Sequence, residues 1–560
     1  MDSLERETLT LPLSISAYTF CYVSFGELCA WLVGWNLTLG YGVSAAVVAQ
    51  SWALYLVGFI EGFSAWPSVD IELTYWTKFP ISWVGDDYTC CPLAIVIVGL
   101  CTLILVTGVK ESTRFNTAMT LLNLSILLFV LMAGIFSGSV DVSNNLVPMF
   151  PHGVKGMARG AGLVFFSYLG FDMVACLSEE CENPNRNMPR GIIGSLLISM
   201  SIYVSVSLVV VGMAPIHLLG ADTPITNALL ANACCTSEDL QMDTAQEICL
   251  SYASCHILRP VLYVGSRFIS FGAIFGLTTA CFACLMGQPR INYAAAQDGL
   301  LFPIFAKVHP DTGVPTVGTI LTGLFTAVVA CFIDLEVLAN AISLGTLQVF
   351  SFINAGVIVL RMRGTTALDD PRIVGSERTT PSETASLVPN LDDTVPLQHR
   401  PEMDSLARSL GLINSSSREI WKIVQEAEQQ HNQQKLESTT PTWLVLIFTV
   451  SCILAALGAN NDWHVYSIIG CATLIVISSA LLFVQPKSPP PETFTCPFVP
   501  AIPLMGILCN AGMMGSLPLS TWWVILTWLA GGLLFYLGYG IHHSELKKVH
   551  DAAANQNTAA

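Results

Sequence analysis

Long apolar runs separated by short polar stretches dominate the chain. A helix that crosses a bilayer needs about 20 mostly apolar residues. Twelve such runs are predicted, at 27–58, 91–109, 115–138, 160–180, 191–214, 260–287, 314–334, 338–361, 442–459, 464–484, 497–517 and 520–541. They are continuous rather than alternating apolar and polar, which excludes a membrane β-barrel and predicts an all-α polytopic protein. The segment 364–440 interrupts this pattern. It is rich in Ser, Thr, Pro and acidic residues and is predicted to be a disordered cytosolic loop, with one short surface helix in REIWKIVQEAEQQHNQQKLE. The chain therefore divides into a cytosolic N-terminus (1–26), a core of eight spans (27–363), the polar loop (364–440), four further spans (441–541) and a cytosolic tail (542–560).

Charge adds an orientation. With residue 1 inside, the short inside loops and ends carry twelve Lys and Arg, while the outside loops carry four, Lys78, Lys155, Arg159 and Arg259. That bias predicts both termini inside. The first ten residues, MDSLERETLT, contain no apolar secretory stretch, so insertion is expected to rely on the first span. Composition agrees: 53% of residues are hydrophobic and 11% charged, against about a quarter charged in soluble domains. The net charge of −16 is spread over loops on both sides and points to no partner. Six of the eighteen cysteines, Cys90, Cys91, Cys234, Cys235, Cys249 and Cys255, fall in predicted outside loops and are candidates for disulfides. Their spacing fits no zinc pattern, and no metal site is expected.

The candidate chemistry lies in FFSYLGFDMVACLSEECENPNRNMPRG, residues 165–191. Ser167, Tyr168, Gly170 and Asp172 interrupt an apolar run. A carboxylate at mid-membrane costs about 2.5–3.5 kcal/mol on insertion scales, so Asp172 is predicted to face the bundle interior or a watery cavity. It also stands where it would cap the second half of a helix broken near Ser167–Gly170. Broken helices form the substrate sites of secondary transporters, because freed carbonyls and half-helix ends supply ligands. A kinked span whose Asp only caps is the alternative, and the residues leave both open. Beyond the run, Glu179, Glu180 and Arg190 form a candidate inside latch, or a solvated interfacial cluster.

A second cluster, GQPRINYAAAQDGLLFPIFAKVHPDTGVP (287–315), predicts that the sixth span ends at Pro289-Arg290 and is followed by a short helix lying at the inside interface. The first span packs Gly26, Gly34, Gly40 and Gly42 with Asn36, Thr38 and Ser44. Small residues let helices approach closely, and Asn36 and Thr38 are its notable polar positions. GxxxxGK[ST], HExxH and GxSxG patterns are missing from the sequence, so no enzyme and no cofactor are expected. Nucleic-acid binding has no basic patch to support it.

Together, GELCAWLVGWNLTLGY, FFSYLGFD, EECENPNRNMPRGI, PRINYAAAQDGLLF, FTCPFVPAIP and LGYGIHHS resemble the cationic amino acid transporter family of the amino acid, polyamine and organocation superfamily. The resemblance runs from Tyr18 to Ser544. It implies a LeuT-like fold of two inverted five-helix repeats followed by four helices. Aligning FFSYLGFD with the family's sixth helix leaves this chain without the family's first two, an even loss that preserves the topology. It implies a substrate site made by Phe166 as an aromatic gate, by Ser167, Leu169 and Asp172 on the broken segment, and by Gly34 and Thr38 on the third-helix wall. Asn123 falls where proton-coupled relatives carry a lysine, which implies facilitated diffusion. Arg290 joins the inside latch, which Gln297 weakens by standing where relatives carry a cation. The expected function is transport of a small amino acid, cationic (arginine, lysine or ornithine), by alternating access in the lipid bilayer, in the plasma membrane rather than a vacuolar or lysosomal one. The alternative is a non-transporting sensor or partner subunit built on the same fold.

Overall fold

The computed structural model describes residues 17–61, 76–77, 79–80, 89–107, 113–136, 140, 145–146, 150–170, 183–220, 223–235, 259–309, 314–363, 440–461, 463–486 and 496–544. The predicted polar loop, the tail beyond Ser544, and Asp172, Glu179 and Glu180 lie outside them.

The described chain is almost entirely helical. Helix α1 (Ala17–Phe25) meets α2 (Glu27–Thr38) at Gly26; a π turn (Leu39–Val43) then joins α2 without interruption to α3 (Ser44–Glu61). A two-stranded ribbon follows, β1 (Phe79–Pro80) antiparallel to β2 (Thr89–Cys90), with Phe79 opposite Cys90. Next come α4 (Pro92–Val106), α5 (Thr113–Phe136) and α6 (Gly153–Val164). Then follow α7 (Pro184–Met213), α8 (Pro224–Cys234), α9 (Pro260–Gln297), α10 (Thr316–Phe332) and α11 (Leu335–Arg363). The last four helices are α12 (Thr440–Asn460), α13 (Val465–Val484), α14 (Ala501–Ser516) and α15 (Leu519–His543). Eight of these helical stretches are long and apolar enough to cross a membrane, and α4, α10 and α14 are shorter apolar helices.

Proline opens α4, α7, α8 and α9, where its fixed φ suits the first turn and its missing N–H costs no hydrogen bond. Pro289 behaves differently. The predicted stop at Pro289-Arg290 does not occur: α9 runs through Pro289 to Gln297, with Pro289 inside it and buried. Pro289 packs against Gly318 of α10, and a membrane bundle tolerates an internal proline where neighbouring helices satisfy the freed backbone group. The predicted interfacial helix is therefore the last two turns of α9.

The largest core cluster joins α3, α4, α9, α10 and α11 with residues of α12 and α14. Val130, Val209, Leu229 and Leu262 belong to a second cluster between α5, α7, α8 and α9. A third gathers Tyr18, Trp31, Leu37, Leu300, Val349 and Tyr536. In this third cluster an aromatic ladder ties α2 to α15. Trp35 stacks on Trp528 at 4.8 Å, Trp31 stacks on Phe535 at 5.4 Å, and Trp31 Nε1 donates to the Gly532 carbonyl at 2.8 Å. Aromatic pairs of this kind contribute about 0.5–1.5 kcal/mol beyond their buried area.

Candidate substrate site

Helix α6 ends where the break is predicted, and residues 171–182, in which a second half-helix would resume, lie outside the described residues. After α6 the chain tightens into a 3-10 turn, Phe165–Tyr168; Leu169 is then extended (ψ 144°) and Gly170 takes φ 111°. That backbone conformation is open to glycine and costly for other residues, so Gly170 is what lets the chain leave the helix axis here. The half-buried Phe166 and Leu169 pack against the main core cluster. Ser167 is exposed, and its carbonyl accepts from the Tyr203 hydroxyl at 3.4 Å. Phe165 meets Phe350 of α11 edge to face at 5.6 Å.

On α2, which carries the predicted wall residues Gly34 and Thr38, it is Asn36 that reaches the same helix. Asn36 is 3% exposed, and its Nδ2 donates to Gln348 Oε1 at 2.9 Å and to the Gly345 carbonyl at 3.3 Å, both on α11. Thr38, half-buried, accepts from Gln288 Nε2 of α9 at 3.0 Å, and the same amide donates to Asn292 Oδ1 at 2.9 Å. Gly34 is buried, and a Cβ there would stand 3.1 Å from the Tyr18 ring. Gly34 thus serves the packing of α1 on α2, while Thr38 sits in the polar network.

Two oxygens in this network, Asn36 Oδ1 and Gln288 Oε1, are buried and have no hydrogen-bond partner among the described residues. So are Asn340 Oδ1 and Ser343 Oγ, one to two turns further back on α11. A buried unpaired acceptor costs about 1–3 kcal/mol. Unpaired acceptors buried in a bundle are groups that a bound ligand or an ordered water would satisfy.

Beside this network lies the π turn, Leu39–Val43, packed among α9, α10 and α11. Its Gly42 carbonyl accepts from Thr326 Oγ1 at 3.1 Å, and Gly40 faces the Thr346 methyl. Single π turns inside α-helices are frequent at functional positions. Gln288, Gln348, Asn340 and Ser343 were not singled out from the sequence. Isolated amides in apolar runs are the signal that would have found them.

The remaining predicted residues are less connected. Asn123 is exposed on α5, its amide against Gly276 of α9. Arg190 and Arg290 are both exposed and make no ion pair among the described residues. A different set of contacts ties together the end of the bundle where α9 finishes. Tyr18 donates to Asp298 Oδ2 at 2.5 Å, and Glu27 accepts from the Tyr536 hydroxyl at 2.9 Å and from Ser544 Oγ at 2.5 Å. At the opposite end, Arg159 of α6 pairs with Glu336 of α11 at 3.6 Å.

A buried polar network inside a polytopic helical bundle, together with a span whose helix ends at a positive-φ glycine, is in keeping with a membrane transporter. Residues 7–372 match the family described as amino acid permease, and residues 494–544 match the C-terminus of that family. The methylthioribose transporter of Bacillus subtilis is 38% identical over 354 residues, covering 63% of this chain and 68% of the relative. Cationic amino acid transporter 2, vacuolar, of Arabidopsis thaliana is 30% identical over 561 residues, covering 96% of this chain and 80% of the relative. Cationic amino acid transporter 4 of Mus musculus is 30% identical over 566 residues, covering 96% and 78%. The chain belongs to the amino acid permease family.

Proposed function

We propose that this transporter carries cationic amino acids (arginine, lysine or ornithine) by facilitated alternating access. The substrate would lie between the helix break at Phe165–Gly170 and the polar face of α2. The observation that carries this reading is the convergence of both walls on α11, through Phe165–Phe350 and Asn36–Gln348, beside the unpartnered oxygens of Asn36 and Gln288. Those oxygens are acceptors, and an amino acid with a guanidinium or ammonium side chain brings donors. Phe166 and Leu169 would supply the apolar contact, and Ser167 and Thr38 further polar contact. Asp172, which the sequence predicts to cap a second half-helix, would hold the α-ammonium group with its carboxylate. The identity to two proteins named cationic amino acid transporters supports the substrate class.

Asn123 carries no titratable group, which favours uniport over proton coupling. Both ends of the chain are placed on the cytosolic side by the excess of Lys and Arg in the inside loops, and the membrane is taken to be the plasma membrane. Glu179 and Glu180 with Arg190 and Arg290 would then close the inside face. The test is uptake of labelled arginine, lysine and leucine by the full chain in liposomes. Saturable arginine and lysine uptake that exceeds leucine uptake supports the reading. Leucine uptake alone overturns the substrate class, and binding with zero flux overturns transport in favour of a sensor.

A further inference from the structure

Three cysteines meet at the end of the bundle where α3 finishes. The Cys91 N–H donates to the Cys331 carbonyl at 2.9 Å, and the β2 strand that Cys90 ends packs against α10, which brings the Cys90 thiol next to the Cys331 thiol. Cys331 stands in the last turn of α10, and Cys90 ends the β-ribbon. Both are free thiols in the structure. They come from positions 241 residues apart in the sequence, so the fold, not the chain, brings them together.

The same end of the bundle already holds oxidised cysteines. Cys234 and Cys235, at the end of α8, are disulfide-bonded. Contacts link the two regions. Arg259 N–H donates to the Ala233 carbonyl at 3.2 Å, and Arg267 reaches the Phe59 carbonyl at 3.4 Å, two residues before α3 ends. Gln50 of α3 then donates to the Ala330 and Ile333 carbonyls at 2.7 Å each, on either side of Cys331. Disulfides persist only where the compartment is oxidising, and a second thiol pair at that face meets the same compartment.

We infer that Cys90 and Cys331 are a disulfide-forming pair that staples the β-ribbon to the α10–α11 turn. The Cys90 thiolate attacks a small disulfide of the oxidised glutathione class, forming a mixed disulfide and releasing one small thiol. The Cys331 thiolate then attacks the Cys90 sulfur and releases the second. Two protein thiols and one small disulfide thus become one protein disulfide and two small thiols, which carry away both protons. Five residues beyond Cys331, Glu336 has its backbone N–H held by Asp334 Oδ1 at 2.8 Å and its carboxylate paired with Arg159 of α6.

A built-in control exists. Cys101 and Cys281 also lie within hydrogen-bonding reach of each other, but at 1% and 0% exposure deep in the core. No small disulfide reaches them, so they stay reduced.

The experiment uses the full chain in detergent, equilibrated with oxidised glutathione, alkylated, digested without reductant and read by mass spectrometry. The expected result is a Cys90–Cys331 linked peptide that disappears with reductant, while Cys101 and Cys281 carry the alkyl label. A thermal melt is expected to show a larger drop in Tm on reduction for the wild type than for Cys331→Ser, whose remaining drop comes from the disulfides of Cys234 and Cys235. Quantitative alkylation of both Cys90 and Cys331 after the oxidant, or a Cys90–Cys91 link in place of the predicted one, overturns the proposal. The peptide readout needs no variant, so a poorly folding Cys331→Ser does not affect it.

Discussion

The Tyr18 hydroxyl donates to Asp298 Oδ2 at 2.5 Å across 280 residues of sequence, closing α1 onto the turn that follows α9. Beside it, Glu27 accepts from both Tyr536 and Ser544, so the first described helices, the end of α9 and the last helix share one clamp. Hydrogen bonds to a charged group contribute about 1.5–3 kcal/mol. Tyr18→Phe is expected to lower Tm in detergent and to destabilise by about 1–3 kcal/mol, as is Asp298→Asn. The double variant is expected to lose less than the sum of the two, because both changes break one bond. Full additivity in a thermal melt would show that the contact does not act as a unit.

Asn36→Ala deprives Gln348 Oε1 and the Gly345 carbonyl of the same donor. The expected cost is about 1–3 kcal/mol in stability, with arginine uptake at least tenfold lower. Gln288→Ala removes the donor to Thr38 and Asn292 and is expected to lower uptake in the same assay. Unchanged uptake in both variants would place the substrate elsewhere.

Gly170→Ala forces a side chain into φ 111°, where the strain costs about 1–3 kcal/mol. The expected outcome is loss of uptake with protein still recovered as a monodisperse peak in size-exclusion chromatography. Gly191→Ala is the comparison: Gly191 lies in α7 with open space where a Cβ would stand, so this change is expected to be neutral or mildly stabilising.

The neutral Asn123 amide predicts that arginine uptake into liposomes is the same with and without an imposed pH gradient of either sign. A several-fold stimulation by an acidic outside would reveal coupling to protons through some other group.

The end of the helix at 165–170 was legible because Ser167 and Gly170 interrupt an apolar run, and glycine in a membrane helix needs a packing or backbone reason. The bundle was legible for the simpler reason that run length and bilayer thickness match. Two features were not. Pro289 was expected to end a helix, yet packed neighbours carry the helix through it to Gln297. The sequence reading also began the first span at 27, whereas helix already starts at Ala17; SAYTFCYVSF is too short to register as a span and is recognised only by what it packs against.

The site was half legible. Thr38 and Asn36 stood out in a run of small residues, but Gln288 and Gln348 are lone amides in otherwise apolar helices, and only packing reveals that they face the same network. The predicted inside latch of Glu179, Glu180, Arg190 and Arg290 falls partly outside the described residues. The contacts described at that end are hydroxyls donating to the carboxylates of Glu27 and Asp298, a pairing that charge counting does not detect.

The central claim is that the broken span and the polar face of α2 hold the substrate between them against α11. An electron cryo-microscopy map of the full chain with saturating arginine tests it most directly. The account predicts ligand density against the backbone of Leu169 and Gly170, with Asn36 Oδ1 or Gln288 Oε1 within about 3.5 Å of a ligand nitrogen. Density away from both walls, or a continuous helix through 165–170 in the ligand-bound state, would contradict it.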